Sequence, residues 1–226
     1  MSLRDAEARS RGAAGPGARL TRVSAALGDA PNLPGTFALA AAGAAACGVD
    51  YLKVGLRGLR GEDESLEFLA AVVRAAREAS PEVSVIAAAY AEAAAIGSID
   101  PETLPRVAQR AGAQGCLIDT ALKDGRTLFD HRDGPAMARF IADCRRRGLL
   151  CGVAGSLGLR HVPLLVELGP DVVGVRGAIC GGGRSGRLDP RRLRSFRAAL
   201  LGATAGQFGS GSRPRDLSRP PWDPPA

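Results

Sequence analysis

Six short apolar runs alternate with helical segments along most of the chain. This regular alternation implies a parallel sheet in which each strand is followed by a helix and a right-handed crossover. The predicted strands cover residues 20–27, 49–56, 83–89, 116–120, 149–154 and 171–175. The predicted helices cover residues 36–47, 65–79, 101–111, 134–147, 162–168 and 189–201. Thr36 is the predicted N-cap of the first helix. A doubly wound sheet and a barrel both fit this order.

Two turns in the second half of the chain favour the barrel. Gly155-Ser156 follows the fifth strand, and Arg176-Gly177-Ala178 follows the sixth. Small residues leave backbone N–H groups accessible, and the turns after the last two strands of a barrel often bind phosphate. No GxGxxG motif follows the first strand, which argues against a dinucleotide-binding fold. We therefore predict an α/β fold of the (β/α)8 TIM-barrel type with about six βα units, and a phosphate site at these turns to which Arg176 adds charge.

Lysine is rare in this arginine-rich chain. The 30 Lys and Arg residues include only two lysines, Lys53 and Lys123. Lys53 lies in the second half of the second strand, and Lys123 follows four residues after Asp119, which stands at the end of the fourth apolar run. Only lysine can lose its proton near neutral pH and act as a nucleophile or base, since arginine stays charged. We predict that both lysines take part in the chemistry of the active site. The alternative is that the two lysines are present by chance and that one of them pairs with Asp119.

The chain ends are predicted to lie outside the folded domain. Residues 1–19 are polar and contain Gly and Pro, which indicates a loose arm, and residues 20–202 form the predicted domain. Residues 203–226 are rich in Gly, Ser and Pro and are predicted to be disordered. The glycine-rich stretch at 181–186 lacks the Lys-Ser/Thr of a P-loop and is predicted to be a flexible loop.

Composition argues against several classes of partner. The five cysteines are widely spaced without a CxxC pair, which predicts a reducing cytoplasmic location and no zinc site. No segment is apolar and long enough for a signal peptide or a membrane span. The net charge of +7 raises the question of nucleic acid, but aromatic residues amount to only 4% and no nucleic-acid motif occurs. We expect no metal, no cofactor, no membrane and no nucleic-acid partner.

Four stretches of the chain resemble the (5-formylfuran-3-yl)methyl phosphate synthase family. They are SAALGDAPNLPGTFALAAAGAAACGVDYLKVGL, AAAYAEAAAIGSIDP, LIDTALKDGRTLFDH and VAGSLGLRHVPLLVELGPDVVGVRGAIC. The match covers roughly residues 20–201. The resemblance implies a (β/α)8 barrel that condenses two molecules of glyceraldehyde 3-phosphate to a phosphorylated furan aldehyde by Schiff-base chemistry. Phosphate and water are lost, and the product feeds methanofuran or methylofuran synthesis.

The resemblance also implies roles for individual residues. Lys53 in YLKVG matches the lysine that the family uses as proton acceptor, while Asp119 and Lys123 in DTALKDG match an acid and a lysine of the active site. The AGS and VRGA turns match the family's phosphate grip. Asp29, at the end of the first strand, is a further candidate. The implied partner is a small-molecule triose phosphate, and a homo-oligomer is compatible with the sequence.

One departure from the family pattern concerns the lysine that forms the Schiff base. In the family it lies in an Asp-Val-Lys-Asn/Asp-Pro element after the second of two strands that precede the first one here, and this chain has no counterpart. We therefore expect a shortened member with weak or no synthase activity, and two unpaired sheet edges that favour association. The alternatives are another class I aldolase, a sugar-phosphate-binding or partner-completed subunit without activity, and, least favoured, a nucleic-acid-binding protein.

Overall fold

The computed structural model describes residues 22–29 and 32–207 and divides the chain into two compact units, one up to Cys116 and one from Leu117 onward. The main strands are β1 (Ser24–Asp29), β2 (Tyr51–Gly55), β3 (Ser84–Tyr90), β4 (Gly115–Asp119), β5 (Leu150–Val153) and β6 (Val172–Val173). They form one parallel sheet whose strand order follows the chain, from β1 to β6. The predicted alternating α/β architecture is therefore confirmed.

Helices follow the strands along the chain. They are α1 (Pro34–Ala45), α2 (Glu62–Ala79), α3 (Ala93–Ile96), α4 (Leu104–Ala111), α5 (Leu128–His131), α6 (Gly134–Arg146), α7 (Val162–Leu168) and α8 (Pro190–Gln207). Short 3-10 helices at Leu159–His161 and Gly177–Ile179 precede α7 and follow β6. A small antiparallel hairpin, formed by β7 (Cys180–Gly181) and β8 (Arg187–Leu188), leads into α8.

In the first unit, β3 is buried on both faces, since all seven of its residues are buried. In β2, Leu52 and Val54 are fully buried. Helices α1 and α2 pack on each other, with the rings of Phe37 and Phe68 centred 5.2 Å apart. Because side chains alternate along a strand, Lys53 and Gly55 point to the face opposite Leu52 and Val54. On that opposite face Gly55 is buried and Lys53 is half-buried.

In the second unit, β5 and β6 run side by side with Gly152 opposite Val172 and Val153 opposite Val173. Helix α6 buries one face, made of Met137, Phe140, Ile141 and Cys144. A second cluster joins α7, the Gly177–Ile179 segment and α8 through Val162, Ile179, Cys180 and Phe196. This packing fixes the segments that follow β6.

Helix starts differ from the prediction where local chemistry outweighs periodicity. Thr36 is not an N-cap, because α1 already begins at Pro34, whose fixed φ suits the first helical position. Helix α2 begins three residues before the predicted residue 65, since Glu64 accepts a hydrogen bond from the Gly61 N–H at 2.6 Å and acidic residues suit the positive end of a helix. The one-turn helices α3 and α5 were not predicted, because four residues show no helical period.

The glycine-rich stretch at 181–186 is a loop, as predicted, apart from Gly181, which belongs to β7; the loop joins the paired strands β7 and β8. Its flexibility stays a prediction. Helix α8 continues to Gln207, so it includes residues 203–207, which the sequence predicts to be the start of the disordered tail. Residues 208–226 of that tail and the predicted arm 1–19 lie outside the described residues.

Candidate active site

Asp119 and Lys123 lie together at the carboxyl end of β4. Lys123 Nζ donates hydrogen bonds to the carbonyl oxygen of Thr120 and, at 3.0 Å, to Thr120 Oγ1. It also lies 3.5 Å from Asp119 Oδ1, which accepts the Thr120 N–H at 2.7 Å. The Lys123 side chain is 32% exposed, so the ammonium group is held by protein oxygens and remains within reach of a ligand. The structure thus brings these two predicted site residues into one ion pair.

Thr120 connects this ion pair to the turn after β5. A Cβ built on Gly155 would lie 2.8 Å from Thr120 Cγ2 and 3.2 Å from Thr120 Oγ1, so the close approach requires glycine. The φ of Gly155 is +118°, a conformation that side chains disfavour. Thr120 is therefore in contact with both Lys123 and the predicted phosphate-binding turn.

The Gly155-Ser156 turn has the backbone geometry of an anion site. Ser156 has a φ of +51° and, among the described residues, is the one non-glycine residue with a positive φ. Such conformations cost about 1–3 kcal/mol and concentrate at functional sites. Within the described part of the chain, nothing accepts a hydrogen bond from the N–H groups of Gly155 and Ser156. Two successive unpaired N–H groups form a concave nest suited to an anion.

The turn after β6 begins beside the first turn. The Gly174 N–H donates to the Val153 carbonyl at 2.8 Å, and a Cβ on Gly174 would lie 2.9 Å from Ala154 Cβ. Gly177 and Ala178 open the Gly177–Ile179 helix, and their N–H groups find no acceptor among the described residues. The second predicted turn thus also offers free backbone donors.

Arg176 is exposed at the start of this second turn. Its Nε donates to the Arg184 carbonyl oxygen at 2.9 Å, which ties the guanidinium to the loop between β7 and β8. A guanidinium has five N–H donors, so this bond leaves others for an anion. The contact explains how an exposed side chain keeps a defined position next to Gly177.

Lys53 belongs to the first unit and lies in the middle of β2. Its side chain is half-buried, and no described residue forms a hydrogen bond or an ion pair with its ammonium group. Lys53 therefore differs from Lys123, whose ammonium group is held by Thr120 and Asp119.

Asp29 and Tyr90 meet on the same face of β2 as Lys53. The Tyr90 hydroxyl donates to Asp29 Oδ1, and a Cβ on Gly55 would overlap both of these oxygens. Asp29 lies opposite Gly55 in the register of β1 and β2. Sequence reasoning proposed Asp29 from its strand-end position but missed Tyr90, since a link over 61 residues is visible only once the sheet register is known.

The one-turn helix α5 is attached to the Gly155 turn. The Leu128 N–H donates to the Gly155 carbonyl at 3.0 Å. Asp130 Oδ2 accepts the Thr127 N–H at 2.6 Å and the Thr127 hydroxyl at 2.8 Å, and these bonds, the backbone one first, hold the pKa of Asp130 below its usual range. A one-turn helix is marginal on its own, so this cap helps to fix it beside the turn.

The described residues hold no group of three or more His, Cys, Asp or Glu side chains placed to bind a metal ion. Within the same residues, no helix has the length and apolar character needed to cross a membrane.

Comparison with known proteins identifies relatives over most of the chain. A family model described as 4-HFC-P synthase matches residues 12–197. The (5-formylfuran-3-yl)methyl phosphate synthase of Methanocaldococcus jannaschii is 43% identical over 177 residues, which are 77% of this chain and 75% of the relative. The protein of the same name from Methanothermobacter thermautotrophicus is 46% identical over 180 residues, which are 79% of this chain and 76% of the relative.

A solved structure supports the fold independently of close sequence similarity. The 3-hexulose-6-phosphate synthase of Salmonella typhimurium superposes with a TM-score of 0.52 at 24% identity, over 73% of this chain and 68% of that one. Neighbours of this kind are TIM barrels, so the predicted barrel-type fold is confirmed, with the six parallel strands as part of a barrel.

Proposed function

The chain belongs to the family of (5-formylfuran-3-yl)methyl phosphate synthases, and from this premise we propose that it condenses two molecules of glyceraldehyde 3-phosphate to (5-formylfuran-3-yl)methyl phosphate. The atoms balance when one phosphate and two water molecules leave for each furan formed. The product class serves the synthesis of methanofuran-type carriers. The reaction makes the chain a lyase-type enzyme of the aldolase-like barrels.

The observation that carries this proposal is the contact of Thr120 with both an amine and a phosphate-type turn. Lys123 Nζ lies 3.0 Å from Thr120 Oγ1, and Gly155 closes on the same side chain. A sugar phosphate needs a group that binds its phosphate and, a few ångströms away, a group that acts on its carbon chain. The free N–H groups of Gly155 and Ser156 supply the first, and the Lys123–Asp119 pair supplies the second.

We assign different tasks to the two lysines. Lys123 donates to Thr120 and pairs with Asp119, so it serves as a fixed cation that orients substrate oxygens and exchanges protons with Asp119. Lys53, whose side-chain nitrogen has no partner among the described residues, takes protons from substrate carbon as the neutral amine, or relays them. The turns at Gly155-Ser156 and Gly177-Ala178 hold phosphate, with charge added by Arg176.

An imine with the substrate aldehyde acts as electron sink for deprotonation and for phosphate loss. Within the 226 residues, Lys53 and Lys123 are the two lysines and therefore the candidates for this imine.

Incubation of the purified 226-residue chain with glyceraldehyde 3-phosphate tests the proposal. We expect a furan aldehyde phosphate, identified by mass spectrometry, together with one equivalent of released phosphate, above the level without protein. Borohydride added during turnover should fix the substrate to a peptide that contains Lys53 or Lys123.

Other outcomes point to the alternative functions and contradict this one. A product that keeps both phosphates, without phosphate release, indicates an ordinary class I aldolase. Thermal stabilisation by the substrate without any product from folded protein indicates a sugar-phosphate-binding subunit.

A further inference from the structure

Asp29, Gly55 and Tyr90 form a polar group that the proposed roles do not use. The Tyr90 hydroxyl donates to Asp29 Oδ1 across Gly55, and among the described residues Tyr90 is the one hydrogen-bond partner of the Asp29 carboxylate. Asp29 is exposed, whereas Tyr90 is only 8% exposed. The pair therefore consists of a buried phenol that holds an accessible carboxylate.

Gly55 makes this arrangement possible. A Cβ at this position would overlap Asp29 Oδ1 and the Tyr90 oxygen and would lie 3.0 Å from Asp29 Cγ, so any side chain here would expel the pair. Gly55 follows Lys53 by two residues on the same strand. Because strand residues alternate in direction, the Lys53 side chain and the space over Gly55 share one face of β2.

The buried phenol fixes the orientation of the carboxylate. A free aspartate rotates about its side-chain bonds, and that freedom is lost when it binds a ligand. The Tyr90 bond occupies Oδ1 and leaves Oδ2 without a partner among the described residues. An ionised carboxylate accepts hydrogen bonds and donates none, so its ligand must offer a donor, and in a sugar phosphate the donors are hydroxyl groups.

We propose that Asp29, held by Tyr90, binds a hydroxyl group of the substrate on the Lys53 face of β2. This inference rests on the proposed function and names what the Lys53 face of β2, within the first unit, recognises: a hydroxyl group of a polyol or hydroxyaldehyde. Asp29 is a binding residue and Tyr90 a positioning residue. Lys53 on the same face acts on a carbon of the bound molecule.

Two inert ligands that differ only in one hydroxyl test the assignment. Glycerol 3-phosphate carries a hydroxyl on its central carbon, and the monophosphate of propane-1,3-diol lacks it. A hydrogen bond to a charged group corresponds to a preference of about tenfold or more, so calorimetry on the whole chain should show tighter binding of glycerol 3-phosphate by about that factor.

Substitutions that keep side-chain size assign the preference to the pair. Asp29→Asn removes the charge and Tyr90→Phe removes the orienting bond, and each should reduce the preference to about twofold or less because the charge-assisted bond is lost or loosened. The other tyrosine provides the control: Tyr51 lies at the start of β2 with its hydroxyl 3.3 Å from Arg22 Nη1, and Tyr51→Phe should leave the preference intact.

Equal affinity of the unaltered chain for the two ligands, or failure of the folded chain to bind either, would overturn the inference. So would a preference that survives in both Asp29→Asn and Tyr90→Phe, since the pair would then serve only packing. The proposed function is judged separately by product formation: a hydroxyl preference without any furan product contradicts the reaction and leaves this site in place.

Discussion

Among single residues, Thr120 has the largest number of roles in the site. It is 1% exposed, its carbonyl and hydroxyl accept hydrogen bonds from Lys123, and its side chain contacts Gly155. A buried hydroxyl that accepts from an ammonium group is stabilising, because charge-assisted bonds are stronger than neutral ones. The position of the Lys123 amine thus depends on how closely the turn after β5 packs on Thr120.

Gly155→Ala tests this dependence. The added methyl group would contact Thr120, and the alanine would have to adopt a φ of +118°. We therefore expect the variant to lose about 1–3 kcal/mol of unfolding free energy. Denaturant unfolding measures the loss. Gly158→Ala is the matched control three residues later, since its Cβ meets nothing within 4 Å and its φ is −144°. Equal stabilities of the two variants would contradict the account of Gly155.

The sequence identifies charged site residues more readily than their neutral neighbours. Lysine scarcity and the strand-end position identified Asp119 and Lys123 as candidate catalytic residues, with an ion pair as the alternative, and in the structure the two side chains form an ion pair. Their role in catalysis stays a prediction. Thr120 and Tyr90 were not predicted, because threonine and tyrosine are ordinary residues at strand ends. Their roles arise from contacts with Gly155 and Asp29, which are distant in sequence and meet only through sheet pairing.

Among the elements, α5 is the one whose stability should respond most clearly to acid. Thr127 lowers the pKa of Asp130 by donating two hydrogen bonds to its carboxylate. A carboxyl group with a lowered pKa binds fewer protons in the folded state than in the unfolded state, where its pKa is about 3.9. Its contribution to stability is therefore complete above that pH and is lost as the pH falls through the folded pKa.

A carboxyl titration by NMR checks this prediction. Asp130 should titrate with a midpoint below about 3.9, the value of an unperturbed aspartate. Thr127→Val removes the hydroxyl bond and keeps the larger backbone bond, so it should raise the midpoint part of the way. Thr103→Val, which alters a hydroxyl bonded to the Asp100 carbonyl, should leave Asp130 unchanged. An Asp130 midpoint at or above 3.9 in the unaltered chain would be the contrary result.

Element existence was predictable, and element bounds were less so. The alternation of apolar runs and helical periods was sufficient to place β1 to β6, because each run is long enough to be recognised. The beginnings of α1 and α2 moved because Pro34 and Glu64 act through local geometry and hydrogen bonding rather than through the apolar pattern. Helix α5 depends on the Thr127–Asp130 cap and on a bond to Gly155, which no hydrophobic period reveals.

For the whole molecule, alternation predicts a parallel sheet but leaves its strand order open, because a doubly wound sheet and a barrel both use right-handed crossovers. The observed order, β1 to β6 in chain order, is that of a barrel. Family membership extends this to function, since the chain matches relatives at 43–46% identity. Within these 226 residues, Lys53 and Lys123 are the two side chains that can act as amines.

Charge-preserving replacement of these two amines tests that central claim most directly. Lys53→Arg and Lys123→Arg each keep a positive charge at the position. Lys123→Arg also keeps a cation that can pair with Asp119. Neither guanidinium can exchange protons near neutral pH. The matched control is Arg187→Lys, a like exchange at an exposed position on β8. The measurement is the rate at which furan phosphate forms from glyceraldehyde 3-phosphate, with circular dichroism to confirm folding. The account predicts that this rate falls by about a hundredfold or more in each lysine variant and does not fall in the control. Folded lysine variants that form product as fast as the unaltered chain would contradict the account.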